Sequence, residues 1–309
     1  MTTLKIGTRA STLARTQSQL VAAVLQRALH VSIELVPVVS EGDRTSAPLT
    51  EIGGQGVFVG AVREALVRGE VDVVVHSLKD LPTVADERVT LAAVPARDDP
   101  RDALVARDGL TLGELPTGST VGTGSPRRTA QLHALGLGVE VVPVRGNVGT
   151  RIAKVSSGAL DAVLLARAGL VRLGREAEIT ETIDPIQMLP APGQGALAVE
   201  VSVHASELAA EVAAALDDES TRAAVTAERA LLRGLEAGCL APVGALAEVA
   251  EGDDAMELWL RAVVAAVDGS HAVRLSAAGS PDEAEHVGHR LAKEMLAEGA
   301  GALMQEQAP

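Results

Sequence analysis

From Leu4 to Val201, short runs of β-branched residues alternate with segments of helical period, and this restricts the chain to a layered α/β architecture. Leu4–Ile6 reads as a strand ending at Gly7. Ser11 or Thr12 can cap a helix on which Leu13, Gln17, Leu20, Val24 and Leu25 share a face. Ile33–Val39 is the next strand, Val57–Arg68 a helix, and Val71–Val75 and Leu91–Val94 further strands. After Asp98-Asp99-Pro100 the pattern restarts. Strands are expected at Ser119–Val121, Val139–Val144 and Ala162–Leu165, with helices at Arg127–Leu135 and Val148–Ser157 between them. Apolar runs separated by helices predict parallel sheets covered on both faces. The segment Pro190 to Gly195 reads as a crossover loop ahead of a strand at Ala196–Val201. From Asp217 the character changes. A long helix runs to Leu235, three strand-like runs follow at 243–249, 256–267 and 271–278 with hairpin turns between them, and a helix at 282–298 precedes a loose tail. This last third reads as an α+β domain on a three-stranded antiparallel sheet.

Composition narrows the function. With 41 acidic residues against 27 Lys and Arg, the formal charge of −14 argues against a general nucleic-acid binder. Aromatic residues, at 1%, are too few for base-stacking platforms. The single cysteine, Cys239, excludes an intramolecular disulfide and a thiolate zinc cluster. Uninterrupted apolar stretches run to about six residues, such as Ala262 to Val267, where a membrane helix needs about 18. No secretory signal is visible. A cytoplasmic protein with no membrane or nucleic-acid partner is expected. A chain of 309 residues suits about two domains, with room for a third.

Several catalytic devices are missing: there is no Walker phosphate loop, no G-x-S-x-G elbow, and Arg127 spoils a dinucleotide-binding fingerprint after Gly122-Thr-Gly124. His286 and His289 with Glu283 and Glu285 read as a solvated helix face, and no metal is expected. The placement of the arginines is more informative. Arg9 follows the first strand, Arg127 and Arg128 open a helix, Arg145 ends a strand, Arg151 lies in the next helix, and Arg172 follows Ala162–Leu165. Open α/β sheets bind ligands beyond the carboxyl ends of their strands, and guanidinium forks match carboxylates, so this set predicts an anion pocket. Each arginine taken singly is also an ordinary surface charge. Asp80, in His76-Ser-Leu-Lys-Asp80, could stabilise a cation and shuttle protons; read alone it is equally a helix cap or an ion pair with Lys79. Cys239 lies in a Gly- and Pro-bounded loop as either a small hydrophobe or a reactive thiol. The loop Glu41–Gly56 is a lid or an ordinary surface loop.

Together the segments resemble the porphobilinogen deaminase (hydroxymethylbilane synthase) family. The matching pieces are Lys5-Ile-Gly-Thr-Arg-Ala-Ser11, Gly53-Gly-Gln-Gly-Val-Phe58, His76-Ser-Leu-Lys-Asp-Leu-Pro-Thr83 and Arg97-Asp-Asp-Pro-Arg-Asp-Ala103. They continue with Gly122-Thr-Gly-Ser-Pro-Arg-Arg128, Arg145-Gly-Asn-Val-Gly-Thr-Arg151, Ala168 to Gly174, Pro192-Gly-Gln-Gly-Ala196 and Glu236-Ala-Gly-Cys-Leu-Ala-Pro-Val-Gly244. The resemblance runs in order from residue 5 to about 244; the last sixty or so residues carry no strong motif.

The resemblance implies two lobes like those of type II periplasmic binding proteins, with a cleft between them, and a third domain. The expected divisions are 1–96 with 196–216 (catalytic aspartate and lid loop), 97–195 (arginine-rich) and 217–309 (cofactor-bearing cysteine loop). It further implies a monomeric enzyme that condenses four porphobilinogen molecules head to tail, with loss of ammonia, on a dipyrromethane cofactor, and releases hydroxymethylbilane by hydrolysis for tetrapyrrole synthesis. The cofactor would be held by a thioether to Cys239. Asp80 matches the catalytic aspartate that stabilises pyrrole N–H groups and azafulvenium cations. Lys79, Ser77, Ser125, Arg127, Arg128, Thr123 and Gly146 match cofactor-binding positions. Arg9, Ser11, Gln17, Arg145, Arg151, Arg172, Gln194 and Phe58 match substrate-binding ones. Gln55 and Gly60 stand where Lys is common, so the lid is less basic than usual; Gly124-Ser-Pro126 and Leu240 also depart from the common pattern. Two rival readings are a non-enzymatic carboxylate-binding protein and a transferase using the Cys239 thiolate directly.

Overall fold

A computed structural model describes residues 3–38, 59–237, 241–253 and 255–305 of the chain. By internal contacts it comprises two compact units, Met1–Asp98 with Ala196–Arg222 and Asp99–Gly195 with Ala223–Pro309.

The first unit is built on β1 (Thr3–Arg9), α1 (Thr12–Leu29), β2 (Ser32–Val38), α2 (Gly60–Val67), β3 (Val73–Ser77), β4 (Val89–Ala93), β10 (Leu197–Ser202) and α6 (Ser206–Leu216). Ser11 caps α1 as its position predicts, its Oγ accepting from the Ala14 N–H at 3.3 Å. Five strands lie in the order β2-β1-β3-β10-β4. Val73 to Val75 are buried, because helices cover the strand on both faces. Leu4, Ile6, Val21, Leu25, Val73, Val199 and Val212 form the core on one side of the sheet; Val62, Leu66, Val71 and Val74 form that on the other.

In the second unit the same plan recurs with β5 (Asp102–Ala106), β6 (Thr120–Thr123), α3 (Pro126–Leu135), β7 (Glu140–Pro143), α4 (Val148–Ser156), β8 (Ala162–Ala166), α5 (Arg167–Arg172) and β9 (Glu181–Thr182). The order is β7-β6-β8-β5-β9, which repeats the first sheet strand for strand. This unit also holds most of α7 (Glu219–Gly234), the antiparallel sheet β11 (Val243–Glu251), β12 (Met256–Ala265) and β13 (Ala272–Gly279), then α8 (Ala284–Ala297) and α9 (Ala300–Gln305). Leu231, Leu258, Leu260, Val287, Leu291 and Met295 pack under the three-stranded sheet.

Three expectations need correction. The sheets are mixed, not parallel: β10 is antiparallel to β3 and β4, and β5 to β8 and β9. Both strands follow a passage of the chain from one unit to the other, not a helical crossover, so they enter their sheets from the opposite end. The sequence reading also passed over β5, α5 and α6. The tail after Gly299 is helical through Gln305, and Ala300 is buried in the core beneath the sheet.

Candidate active site

In the first unit the site residues gather at the carboxyl ends of β1 and β3. The 3₁₀ turn Leu78–Asp80 follows β3 directly, so Leu78 points into the core while Lys79 is half-buried and Asp80 is exposed. A cavity of about 30 Å³ is lined by Arg9, Gln17, His76, Ser77 and Asp80, with Ala14, Val59 and Val75. That volume suits one or two waters among polar partners. Gln17 is buried on the inner face of α1, and its Nε2 donates to Ser77 Oγ at 3.0 Å. Arg9 and Asp80, both expected at strand ends, thus line one cavity together with Gln17 of α1 and His76 and Ser77 of β3.

Behind this cavity lies a buried charge cluster that the sequence reading missed. Glu200 of β10 accepts from Arg63 of α2 through both oxygens, at 2.8 and 2.5 Å, and lies 3.4 Å from His76 Nε2. Burial alone would raise the Glu200 carboxyl, but Arg63 and then His76 override it and bring its pKa to about 2.

In the second unit the arginines divide into two kinds. Arg127 and Arg128 are buried at the first turn of α3. Both bind Asp102, the first residue of β5, which is fully buried. Arg127 NH1 donates to Asp102 Oδ2 at 2.8 Å and to the Leu189 carbonyl at 2.6 Å. Arg128 NH2 donates to Asp102 Oδ1 at 2.8 Å, and its NH1 to the Leu164 carbonyl at 3.0 Å. Burial would raise the Asp102 carboxyl; the two guanidiniums hold it well below the usual carboxylate range. Gln194 is buried too, its Nε2 donating to Asp102 Oδ1 at 2.8 Å and to the Pro100 carbonyl at 2.7 Å. Gln194 was expected at a substrate-binding position, whereas Asp102, part of the Arg97–Ala103 motif, had no role expected of it. The missed signal was an acid heading an otherwise wholly apolar strand, Asp-Ala-Leu-Val-Ala.

The remaining arginines are more open. Arg145 is exposed and Arg151 half-buried. Arg151 Nε donates to the Gly146 carbonyl at 2.9 Å. Burial, then the like charges of Arg128 and Arg145, push the Arg151 guanidinium below the ordinary arginine value. Gly146 turns the chain at φ +104°, and a Cβ there would stand 2.9 Å from Thr150 Cβ. Asn147 caps α4 by accepting from the Thr150 N–H at 2.9 Å. Half-buried Arg172 donates to the Gly195 carbonyl at 2.6 Å. Thr123 is buried, its Oγ1 accepting from the Ser125 N–H at 3.2 Å. Ser125 occupies the N-cap of α3 without a side-chain capping bond, and no acid lies in that helix's first turn.

Two buried guanidiniums against one carboxylate leave one excess positive charge, at the amino end of a helix whose dipole adds to it. Arg127 Nε is buried and has no hydrogen-bond partner among the described residues. Donors in such surplus suit an anion of several carboxylates. Phe58, Cys239, Gln55, Leu240 and the loop Glu41–Gly56 lie outside the described residues. Among the described residues no group of three metal-binding side chains occurs, His286 and His289 included.

Two mixed five-stranded sheets of one strand order, with an antiparallel three-stranded sheet after them, define a mixed α/β protein of repeated plan. Family models then specify it: the porphobilinogen deaminase dipyromethane cofactor binding domain matches residues 4–210, and the porphobilinogen deaminase C-terminal domain residues 222–297. The porphobilinogen deaminase of Mycobacterium tuberculosis (strain H37Rv) is 59% identical over 97% of this chain and 98% of its own, and that of Mycobacterium avium (strain 104) 58% identical over 97% and 96%. This chain belongs to the porphobilinogen deaminase family. Among solved structures, the methionine-binding protein MetQ aligns at 12% identity and a TM-score of 0.43, over 69% of this chain and 89% of its own.

Proposed function

We propose that this chain condenses four porphobilinogen molecules head to tail, releasing ammonia at each step, and hydrolyses the product free as linear hydroxymethylbilane. The observation that carries the assignment of roles is the shared cavity of Arg9, Gln17, Ser77 and Asp80, with an excess of guanidinium in the second unit. A dipyrromethane, joined by a thioether to Cys239, would supply when bound the free pyrrole carbon that the first unit joins, each later unit joining the one before it. The residues present fit such a group: Ser125 heads α3 with no acid in its first turn, Arg127 and Arg128 share one carboxylate, and Arg145 and Arg151 add positive charge. Thr123, Gly146, Lys79 and Ser77 complete that binding set.

Asp80 does the proton chemistry. Its carboxylate stands exposed at the end of a strand, where it can accept from a pyrrole N–H and hold the positive charge that departing ammonia leaves on the substrate. Gln17 and Ser77 fix the strand end beneath it. Arg9, Ser11, Arg145, Arg151, Arg172, Gln194 and Phe58 serve the acetate and propionate groups of the substrate and growing chain, by direct contact or by support. The division into domains 1–96 with 196–216, 97–195 and 217–309, a monomeric state and a cytoplasmic site of action are parts of the same reading.

The test is direct. Intact mass should show an adduct of two linked pyrrole units, absent after Cys239→Ser; a bare thiol in the freshly purified protein would reject the cofactor assignment. Asp80→Asn should keep the fold and the adduct yet consume porphobilinogen at least a hundredfold more slowly. Near-normal consumption would sink the role of Asp80.

A further inference from the structure

The loop from Leu189 to Gly195 bonds two of the arginines and the carboxylate that two of them share. Its Leu189 carbonyl takes a bond from Arg127, its Gln194 amide bonds Asp102, and its Gly195 carbonyl takes one from Arg172. The same loop is anchored from the other side. Gly193 N–H donates to Glu228 Oε2 at 2.5 Å, Glu228 Oε1 accepts from the Ala247 N–H at 2.8 Å, and the Pro190 carbonyl accepts from the Ala245 N–H at 2.9 Å. Gln131 of α3 ties Leu189 through both its carbonyl, at 3.0 Å, and its N–H, at 2.8 Å.

At the centre of this network is one carboxylate. Two guanidiniums at a helix amino terminus repel each other and the helix dipole, and in a buried setting neither would hold its place without a counter-ion. We propose that Asp102 is a positioning residue: held by Gln194 and the 189–195 loop, it sets Arg127 and Arg128 side by side and leaves them one charge short of neutrality, so that a carboxylate of the ligand completes the cluster. This rests on the reading of the two arginines as anion-binding. Asp102 itself is wholly buried. Its charge decides the count: with a neutral residue the pair carries two positive charges, and with a second acid none would remain for the ligand.

Asp102→Asn keeps the size and an acceptor oxygen but removes the charge. In the full chain we expect a lower melting temperature in chloride, and inorganic phosphate at equal ionic strength should restore more of it than it adds to the unsubstituted protein, because an anion from solution replaces the lost one. Should the variant fold only in phosphate, the recovered yield reads the same effect; recovery in neither salt or equally in both would overturn the proposal. Gln194→Met removes one hydrogen bond from the carboxylate while leaving all three charges in place. It should raise KM for porphobilinogen about tenfold with kcat within about twofold, as expected when binding but not chemistry is disturbed. An unchanged KM would equally overturn the proposal. An unsubstituted protein that ignored porphobilinogen would reject the functional reading instead, and the phosphate experiment would still stand on its own.

Discussion

Gly146 shows how much of this site depends on single backbone positions. Its carbonyl directs Arg151, and it can do so only at a positive φ, with no side chain to strike Thr150. Gly146→Ala should destabilise the protein by about 1–3 kcal/mol and raise KM several-fold, measured by chemical denaturation and steady-state kinetics. Unaltered kinetics in a folded variant would show that Arg151 does not depend on this carbonyl. At this scale the sequence was readable where a residue acts at its own position in the chain. Ser11 was expected to cap α1 and does; Asp80 was expected at a strand's carboxyl end and lies there. It was not readable where two distant residues share a proton or a charge. Arg127 and Arg128 look like surface forks in the sequence, and only the pairing of β5 with β8, which places Asp102 below the first turn of α3, shows them buried.

Elements were legible in proportion to their periodicity. The amphipathic α4 was read nearly to the residue and α1 at its start, although Leu20 of its expected apolar face is exposed and Val21 and Ala22 are buried instead. β5 was not, because five buried residues headed by an acid offer no alternation and follow a proline-bounded turn. The antiparallel entry of β10 and β5 was also invisible: strand direction is set by where the chain comes from, and an apolar run is the same in either sense. That antiparallel strand has an energetic consequence. Glu200 of β10 joins α2 through Arg63 and stands beside His76 of β3, so one carboxylate ties three elements of the first sheet. With its pKa lowered from 4.5 to about 2, its stabilisation is fully present above about pH 4.5 and is lost as the pH falls through 2, amounting to roughly 3 kcal/mol. Denaturation midpoints taken from pH 7 down to pH 2 should therefore drop steeply below pH 4.5. Glu200→Gln should lower stability at pH 7, since it leaves Arg63 buried without a counter-charge, and flatten the acid limb. An acid limb as steep in the variant as in the parent would place the acid sensitivity elsewhere.

On the scale of the whole molecule the charge total and the local charge point in opposite directions. At −14, the protein as a body repels a dicarboxylate substrate, and screening that repulsion with salt should speed capture. The local cluster predicts the reverse. Arg151 feels the charges of Arg128 and Arg145, and the buried pair retains a positive charge, so a substrate anion that comes close meets a field of opposite sign to the net charge. The deciding factor is range. With a Debye length of about 10 Å at 0.1 M salt, acids spread over a molecule of this size act weakly at the site, whereas guanidiniums within one unit act at contact distance. We therefore expect kcat/KM for porphobilinogen to fall several-fold as sodium chloride rises from about 20 to about 200 mM at fixed pH. Arg145→Gln, which removes an exposed member of the cluster, should lower the low-salt value and reduce the slope. A kcat/KM that rose with salt would mean that the net charge governs capture and that the arginines act only after the substrate has arrived.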